Sequence, residues 1–179
     1  MQVQDQYLSV NIREANPGDC ASIAHVQVDS YRNAYAGILP QEYLAHFTYE
    51  EQEQDWRDLL SADQHDLLYV AENDAGDIVG YAPGRAQGDQ DTSYDSELVA
   101  LHVRRSYQRQ GIGKRLIAAV AERLKQQGCR SLMLWVLDKN PVRSFYKRLG
   151  GQRLGEKPWV NNDEFGLDVQ EVAYGGLTS

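Results

Sequence analysis

The sequence predicts a single domain of the α/β (α+β) class, built on one mixed, largely antiparallel sheet that about four helices flank. Three observations favour this class. Two short apolar segments joined by a turn come early, a strand–helix–strand–helix order follows, and two further strand-like segments close the chain. A length of 179 residues fits one hydrophobic core, so residues 1–179 are expected to form one domain.

The first half of the chain predicts strands and helices of ordinary length. Val10 and Ile12 alternate with polar residues, as in a strand that is buried on one face. Segment 16–19 combines a capping asparagine, a proline and an early acid, and it predicts a helix that runs to Tyr35. The other predicted elements are a less regular helical stretch to about 60 and strands at 67–71 and 78–82.

The second half begins with an apolar strand at 98–103 that leads through a glycine-containing loop into an amphipathic helix. Apolar residues recur at helical spacing from Ile112 to Leu124, and Gly128 favours a left-handed stop to this helix. The remaining predicted elements are a buried strand at 132–137, a helix from about 141 to 149, and strands around 153 and at 169–173.

Composition and charge exclude several classes of protein. The formal net charge is −8, which argues against nucleic acid as a partner because phosphate binding needs a basic surface. No run of about 18 apolar residues predicts a membrane span, and the N-terminus does not resemble a secretory signal. Cys20 and Cys129 lie outside any CxxC motif, which indicates small buried residues in a reducing compartment. We therefore expect a cytoplasmic protein with no membrane partner.

Segment 104–115 is a basic island in this acidic chain, because its five cations stand without a single acid. Gly111 and Gly113 lie within it, between a predicted strand and a predicted helix. A helix N-terminus presents unpaired N–H groups and the positive end of its dipole, and glycines let a phosphate approach the backbone. The pattern fits neither GxxxxGK[ST] nor GxGxxG after a first strand. It predicts a polyanion site, with a solvated loop as the alternative.

The residues around this loop resemble the acetyl-CoA motif of a known family. Strand 97–103, followed by Gln108-x-x-Gly111-x-Gly113, is similar to that motif in the Gcn5-related N-acetyltransferase (GNAT) family. The resemblance implies the GNAT fold, in which the central sheet is splayed at its middle strands. It also implies acetyl-CoA as co-substrate and no metal.

A second segment resembles the same family. Asn140 opens it, Phe145 and Tyr146 form its aromatic pair, and Gly150 follows the predicted helix. The family's motif often ends in Gly-Phe, whereas here Gly151 follows Gly150. The two motifs together cover roughly a third of the chain, and the order of the other elements fits the family over nearly its whole length.

The resemblance implies a set of cofactor-binding residues. The amides of 108–113 would hold the CoA pyrophosphate, and the preceding strand would offer backbone groups to the pantetheine arm and the thioester. Asn140 would hydrogen-bond the arm, although it is also a suitable N-cap ahead of Pro141. The residues expected to bind the cofactor are Leu101, His102, Val103, Gln108, Arg109, Gln110, Gly111, Ile112, Gly113, Lys114, Asn140 and Tyr146.

Aminolysis of a thioester needs a neutral amine, a polarised carbonyl group and a proton for the departing thiolate. By the resemblance, Tyr146 supplies that proton; the alternative is a purely structural core aromatic. Glu97 is the candidate acceptor of the amine's proton, directly or through water, and Asp95, Glu72 and Tyr31 are rivals that the sequence does not rank. Neither cysteine lies in an electropositive motif, which favours direct attack in a ternary complex over an acyl-cysteine route.

The acceptor side of the site is less defined. Segment 31–40 resembles the family's acceptor-gating segment, so Tyr31 and Tyr35 are expected to line the acceptor pocket, with helix core as the alternative. Two groups of acids would draw a cationic amine or form a solvated face. They are Glu50, Glu51, Glu53, Asp55 and Asp58, and Asp89, Asp91 and Asp95. The four histidines, at 25, 46, 65 and 102, lack metal-ligand spacing.

These observations predict an N-acetyltransferase that moves an acetyl group from acetyl-CoA to the primary amine of a small molecule or peptide. One alternative is a catalytically silent GNAT-fold domain that binds CoA as a sensor or assembly module. Another is a transferase of a longer acyl group. Intact Glu97, Asn140 and Tyr146 favour the enzyme. A homodimer is compatible with the sequence.

Overall fold

The computed structural model describes residues 9–62, 66–86, 93–159, 162–165 and 169–176. Its strands are β1 (Val10–Glu14), β2 (Leu67–Asn73), β3 (Ile78–Arg85), β4 (Glu97–Leu98), β5 (His102–Val103), β6 (Met133–Leu137), β7 (Gln152–Pro158) and β8 (Gln170–Gly175). Its α-helices are α1 (Cys20–Ala34), α2 (Gln41–Ala45), α3 (Tyr49–Ser61), α4 (Ile112–Gln126), α5 (Arg143–Arg148) and α6 (Asn162–Phe165). Single 3₁₀ turns, Pro17–Asp19 and Arg105–Tyr107, precede α1 and α4.

The strands form one sheet in the order β1-β2-β3-β4-β6-β8-β7, and β5 pairs with β3 beside this path. The pair β4–β6 is parallel, and the other strand pairs are antiparallel. The predicted sheet, single, mixed and largely antiparallel, is therefore confirmed. Parallel pairing of β4 and β6 follows from the helix between them, because a crossover returns the chain in the same direction.

Helices cover both faces of this sheet. On one face, Ile23 and Val26 of α1 pack with Tyr81 of β3. On the other, Leu116 and Val120 of α4 pack with apolar residues of β2, β3 and β6. Helices α1, α3, α4 and α5 are the main flanking helices, as predicted, while α2 and α6 span only 5 and 4 residues.

Local sequence signals account for where the main helices begin and end. Asn16 accepts a hydrogen bond from the Gly18 amide, and Asp19 accepts one from the Asn16 amide, so both capping partners of the predicted start are present. Gly128 has a φ of 95°, which is the predicted left-handed stop after α4. The less regular stretch before 60 is two helices because Thr48 caps α3 separately.

The predicted continuous strand at 98–103 is wrong in one respect. It is split into β4 and β5, which pair with β3 in registers that differ by one residue: Gly84 lies opposite Leu98, but Tyr81 lies opposite His102. One extra residue is therefore accommodated within 99–101, as in a β-bulge. The break between β4 and β5 lies where this segment separates from β6. The irregular backbone therefore coincides with the loss of hydrogen-bonded pairing to β6.

The helices and the potential metal ligands of the described residues bear on function classes. None of the helices in the described ranges is long and apolar enough to cross a membrane. Among the same residues, no three histidine, cysteine, aspartate or glutamate side chains converge as metal ligands. His65, Asp89 and Asp91, which the sequence analysis considered, lie outside the described residues.

Candidate active site

A cleft opens in the middle of the sheet between strand 97–103 and β6. The two strands pair at Glu97 and Met133, and no further residues of the two strands are paired beyond that point. β5 continues along β3, so the strand follows its antiparallel neighbour and separates from β6. The opening is the splay expected from the family resemblance. A cavity of about 920 Å³ occupies it and extends across both motifs.

Backbone groups on the open side of strand 97–103 are directed into this cleft. The Arg104 amide donates to the Val79 carbonyl at 2.8 Å, and residues along an antiparallel ladder alternate between bonding to the neighbour and pointing away. The N–H and C=O groups of Val103 therefore point away from β3. The Gln108 side-chain amide donates to the Val103 carbonyl at 2.9 Å, so this carbonyl already has one donor and the N–H faces the cleft. Leu101 lines the same cavity.

The loop after β5 places the N-terminus of α4 at the end of the cleft opposite the Glu97–Met133 pair. The Gln110 side chain donates to the Ser106 carbonyl, and Arg109 and Gly111 take left-handed φ angles of 62° and 79°. The first bond of the helix runs from the Arg115 amide to the Gly111 carbonyl. The amides of 112–114 precede it, so they have no helix carbonyl to reach, which is the arrangement that suits an anion.

Glycine is favoured at both motif positions for different reasons. Gly111 has a positive φ, a conformation that costs any residue with a Cβ atom, and space is open around it. A Cβ atom at Gly113 would lie 3.3 Å from Phe145 and 3.5 Å from Leu101, so glycine allows α4, α5 and the strand to meet closely. Of the five cations predicted as a basic island, Arg105, Arg109 and Lys114 line the cavity. The N-terminus, the glycines and the cations fit a pyrophosphate.

Helix α5 contributes Tyr146 to the cavity. Only 4% of Tyr146 is exposed, and its ring packs edge-on against Phe145 and near Tyr174. Burial raises the pKa of Tyr146 above its usual range, and the nearby Tyr35 adds to this. The phenol is thus held in its protonated form, as a proton donor requires.

Asn140 lies between the two motifs and makes one contact of the kind predicted from the sequence, to the backbone ahead of α5, and one that was not predicted, to Tyr35. Its Oδ1 accepts from the Val142 amide at 3.0 Å, which closes the turn that leads into α5. Its Nδ2 donates to the Tyr35 hydroxyl at 3.5 Å within the cavity. Asn140 is 7% exposed. It therefore joins α5 to the helix that carries the acceptor-side tyrosine.

Glu97 lines the cavity at the closed end of the cleft and is engaged by Arg85. Its Oε2 accepts from Nε and Nη2 of Arg85 at 2.9 and 2.6 Å. Two of the alternative candidates for the base make contacts away from the cavity. Asp95 accepts from the Arg130 and Ser131 amides, and Glu72 is paired with Arg13 on the outer strands. The third rival, Tyr31, lies on the cavity wall.

Aromatic side chains form the acceptor-side wall. Tyr31 and Tyr35, both predicted to line the pocket, do so with ring centroids 5.0 Å apart. His102 lies within ring-contact distance of Tyr31 and Tyr81, and burial lowers its pKa to about 4. Sequence reasoning missed four residues of this wall, which come from β6, from β7 and the residue after it, and from β8. They are Trp135, Lys157, Trp159 and Glu171.

The acidic residues of α3, which were considered as a means of attracting a cationic amine, do not line this wall. Glu50, Glu51, Asp55 and Asp58 are exposed on the outer surface of α3, and Glu53 pairs with Arg57. These carboxylates form a solvated face. The acids that line the cavity are Glu97 and Glu171.

Known proteins share this sequence pattern and fold. The profile described as "Acetyltransferase (GNAT) family" matches residues 28–151, which is more than half of the chain. The chain belongs to the GNAT family. A GNAT relative described as "Uncharacterized N-acetyltransferase YuaI" of Bacillus subtilis (strain 168) is 34% identical over 166 residues, 93% of this chain and 92% of its own.

Two further comparisons bear on this GNAT chain. The thialysine N-epsilon-acetyltransferase of Bos taurus is 30% identical over 161 residues, covering 82% of this chain and 86% of its own. The crystal structure of PaiA N-acetyltransferase from Thermoplasma acidophilum, in complex with coenzyme A, superposes with a TM-score of 0.74 at 21% identity. That superposition covers 92% of this chain and 98% of PaiA and establishes the shared fold. The protein is thus an N-acyltransferase by family.

The matched region of this GNAT domain contains both motifs but ends before β7. Glu97, the glycine loop, Asn140 and Tyr146 all fall inside residues 28–151. Lys157, Trp159 and Glu171 fall outside it. The family profile therefore covers the glycine loop and Tyr146, whereas part of the acceptor-side wall lies beyond residue 151.

Proposed function

We propose that this GNAT protein transfers the acetyl group of acetyl-CoA to a primary amine by direct attack in a ternary complex. One observation carries the proposal: a single cleft joins the bare N-terminus of α4 to an aromatic cavity on the far face of the sheet, and Tyr146 lies on it. The named activity of the bovine relative, an N-epsilon-acetyltransferase, supports an amine acceptor.

The cofactor end of the cleft suits the CoA moiety. The amides of 112–114, with Arg109 and Lys114, would hold the pyrophosphate. The Val103 N–H and the backbone of Leu101 would bind the pantetheine arm and orient the thioester. Acetyl-CoA supplies an acetyl group activated as a thioester, and the protein's contribution is to position it and to manage protons.

Transfer forms a C–N bond, breaks the C–S bond and moves one proton from the amine to solvent or a base. Tyr146 would donate its phenolic proton to the departing sulfur, which otherwise leaves as an unstable thiolate. Glu97 would accept the amine's proton, directly or through water, while Arg85 fixes the orientation of its carboxylate. Asn140 would bind the arm through Nδ2 while Oδ1 continues to accept from the Val142 amide in the turn before α5.

A covalent acyl-cysteine route is not favoured. Burial raises the pKa of the Cys20 thiol and of the Cys129 thiol, and Asp95 adds to the effect at Cys129. Neither sulfur lines the cavity described above. A thiol that stays protonated and lies outside the cleft is a poor nucleophile for the thioester.

The proposal is tested by incubating the protein with acetyl-CoA and a panel of primary amines and measuring thiol release and the acetylated product. We expect turnover with at least one amine and none with the corresponding alcohols. Binding of CoA without turnover on any amine would favour the sensor or assembly alternative. A parallel series of propionyl- and butyryl-CoA separates acetyl transfer from transfer of a longer group, because the preferred donor has the highest kcat/KM.

A further inference from the structure

His102 of β5 directs its side chain to the acceptor side of the sheet. It lies opposite Tyr81 of β3, which packs with helix α1. The next residue, Val103, lies opposite Gly80, where a Cβ atom would meet both Val103 and Leu116 of α4. Successive side chains of a strand project to opposite faces. The Val103 side chain therefore faces α4, whereas the imidazole of His102 faces α1 and lines the cavity.

The ring of His102 is the part of this residue that a ligand can reach. The Arg104 amide bonds to the Val79 carbonyl, and the alternation of the ladder directs the N–H and C=O groups of His102 to β3 as well. Leu101 and Val103, whose backbones are proposed to orient the thioester, are its two neighbours, with Cα atoms about 3.8 Å away. The imidazole therefore lies on the acceptor side at the expected position of the thioester.

Neither ring nitrogen of His102 has a hydrogen-bond partner among the residues that the structure describes. Its ring contacts are to Tyr31 and Tyr81, with centroids 5.2 and 5.4 Å away. Polar groups enclosed by protein usually have a partner, so an imidazole without one on a cavity wall is available to a ligand. Burial lowers the pKa of His102 to about 4, so at neutral pH one ring nitrogen donates and the other accepts.

An attacking amine needs hydrogen-bond acceptors around its nitrogen. Its lone pair must point at the thioester carbon, so the groups that hold the nitrogen have to accept its N–H hydrogens. A carboxylate accepts them but also stabilises the ammonium form, which has no lone pair to donate. A neutral imidazole nitrogen accepts without adding negative charge. The Tyr35 hydroxyl, a second polar group on this wall, already accepts from Asn140.

We propose that His102 binds the attacking nitrogen: the unprotonated nitrogen of its ring accepts a hydrogen bond from the amine and directs the lone pair to the thioester carbon. The inference rests on the amine transfer proposed above. His102 does not keep the proton, because its low pKa makes the ring a weak base. As the C–N bond forms and the C–S bond breaks, the amine's proton passes to Glu97 or solvent, and the thiolate takes the proton of Tyr146.

Three substitutions separate a hydrogen bond to His102 from packing. His102→Phe keeps an aromatic ring against Tyr31 and Tyr81 but removes both nitrogens, and it should reduce kcat/KM for the amine at least about tenfold. His102→Asn and His102→Gln place an amide oxygen near the positions of Nδ1 and Nε2, respectively. One of these two should restore kcat/KM to within about threefold of the unmodified protein, which also identifies the accepting nitrogen.

His25→Phe is the matched control. His25 also contacts a tyrosine, with its ring centre 4.0 Å from that of Tyr49, but it is exposed and does not line the cavity. This variant should keep the full kcat/KM. Calorimetric titration with CoA shows that each variant is folded, and the His102 variants should bind CoA as the unmodified protein does, because the change lies on the acceptor side.

The order of activities decides the role of His102. A packing role predicts that His102→Phe is more active than both amide variants, whereas a hydrogen bond to the amine predicts the reverse. Full activity of His102→Phe would refute the inference and leave amine transfer standing. Equal, large losses in all three variants would also refute it, because they would make the ring the acceptor of the proton itself. Absence of turnover by the unmodified protein on every amine would overturn both proposals together.

Discussion

Glu97 and Arg85 form an ion pair at the closed end of the cleft in which the two side chains differ greatly in exposure. One oxygen, Oε2 of Glu97, accepts from two nitrogens of Arg85. The exposed fraction of the side chain is 7% for Glu97 and 46% for Arg85. Loss of Arg85 therefore leaves a buried carboxylate without this partner, whereas loss of Glu97 leaves a guanidinium that already reaches water.

This asymmetry predicts unequal effects on stability. Arg85→Met should lower the free energy of unfolding by roughly 1–3 kcal/mol, the cost of a buried polar group that loses its partner. Glu97→Gln should cost less, because the amide oxygen still accepts from Arg85. Urea unfolding measures both. Arg57→Met is the control, since Arg57 is 49% exposed in its pair with Glu53 and its loss should change the free energy of unfolding much less. A larger loss in Glu97→Gln than in Arg85→Met would contradict this account.

The same pair gives a kinetic prediction for Glu97. If its carboxylate accepts the amine's proton, Glu97→Gln should reduce kcat/KM mainly at lower pH, where more of the acceptor is protonated and a base is needed most. The pH–rate profile from pH 6 to 9 measures this. Asp95→Asn is the comparison, because Asp95 bonds to the amides of Arg130 and Ser131, away from the cavity. A profile that keeps its shape in Glu97→Gln would assign the base elsewhere.

Local signals in the sequence predicted most of the elements and the candidate residues of the cofactor side. The capping residues at 16–19, the apolar period of α4 and the glycines of its N-terminus each act within a few residues, so they can be read without the fold. Tyr146 and Asn140 were found through the spacing of a motif. Their burial and their contacts with Tyr35 depended on packing between distant helices and were not predictable.

The acceptor side could not be predicted in the same way. Segment 132–137 is apolar on both faces, so its periodicity does not show that Trp135 faces the cavity while Leu134 faces α4. Glu171 and Lys157 are ordinary charged residues in the sequence. They meet only because β7 and β8 pair in a particular register, and a shift of one residue would turn both to the other face.

The glycines of the loop give a prediction for CoA binding. Gly111→Asp should weaken binding at least tenfold, because it places a negative charge beside the amides proposed to hold the pyrophosphate. Gly128→Asp is the matched control. Gly128 also has a positive φ and open space around its Cβ position, but it follows the far end of α4. Both variants place a Cβ atom at a positive φ and add the same charge. Calorimetric titration should show weaker binding only for Gly111→Asp, and equal losses would point to strain alone.

His102 predicts a loss of stability in acid. The unfolded chain protonates this histidine below about pH 6.5, whereas in the folded protein burial lowers its pKa to about 4. Between these values the unfolded state binds more protons, so stability falls as the pH falls, by up to about 3 kcal/mol at pH 4. Urea unfolding at pH 7 and pH 4.5 should show a smaller loss for His102→Gln than for the unmodified protein. His46→Gln, at an exposed position, should leave the loss unchanged, and an unchanged loss in His102→Gln would refute the assignment.

Removal of one hydroxyl group tests the proposed proton donor. Tyr146→Phe should reduce kcat by about 10²- to 10⁴-fold, the usual contribution of a general acid, while CoA binding is retained. Because burial raises the pKa of Tyr146, the unmodified protein should show no loss of kcat between pH 6 and 9 from ionisation of this phenol. Tyr174→Phe is the matched control: its ring centre lies 6.4 Å from that of Tyr146, and it is 1% exposed in the core. This control should keep normal turnover. Full activity of Tyr146→Phe across the same pH range would leave Tyr146 with a packing role and require another source for the thiol's proton.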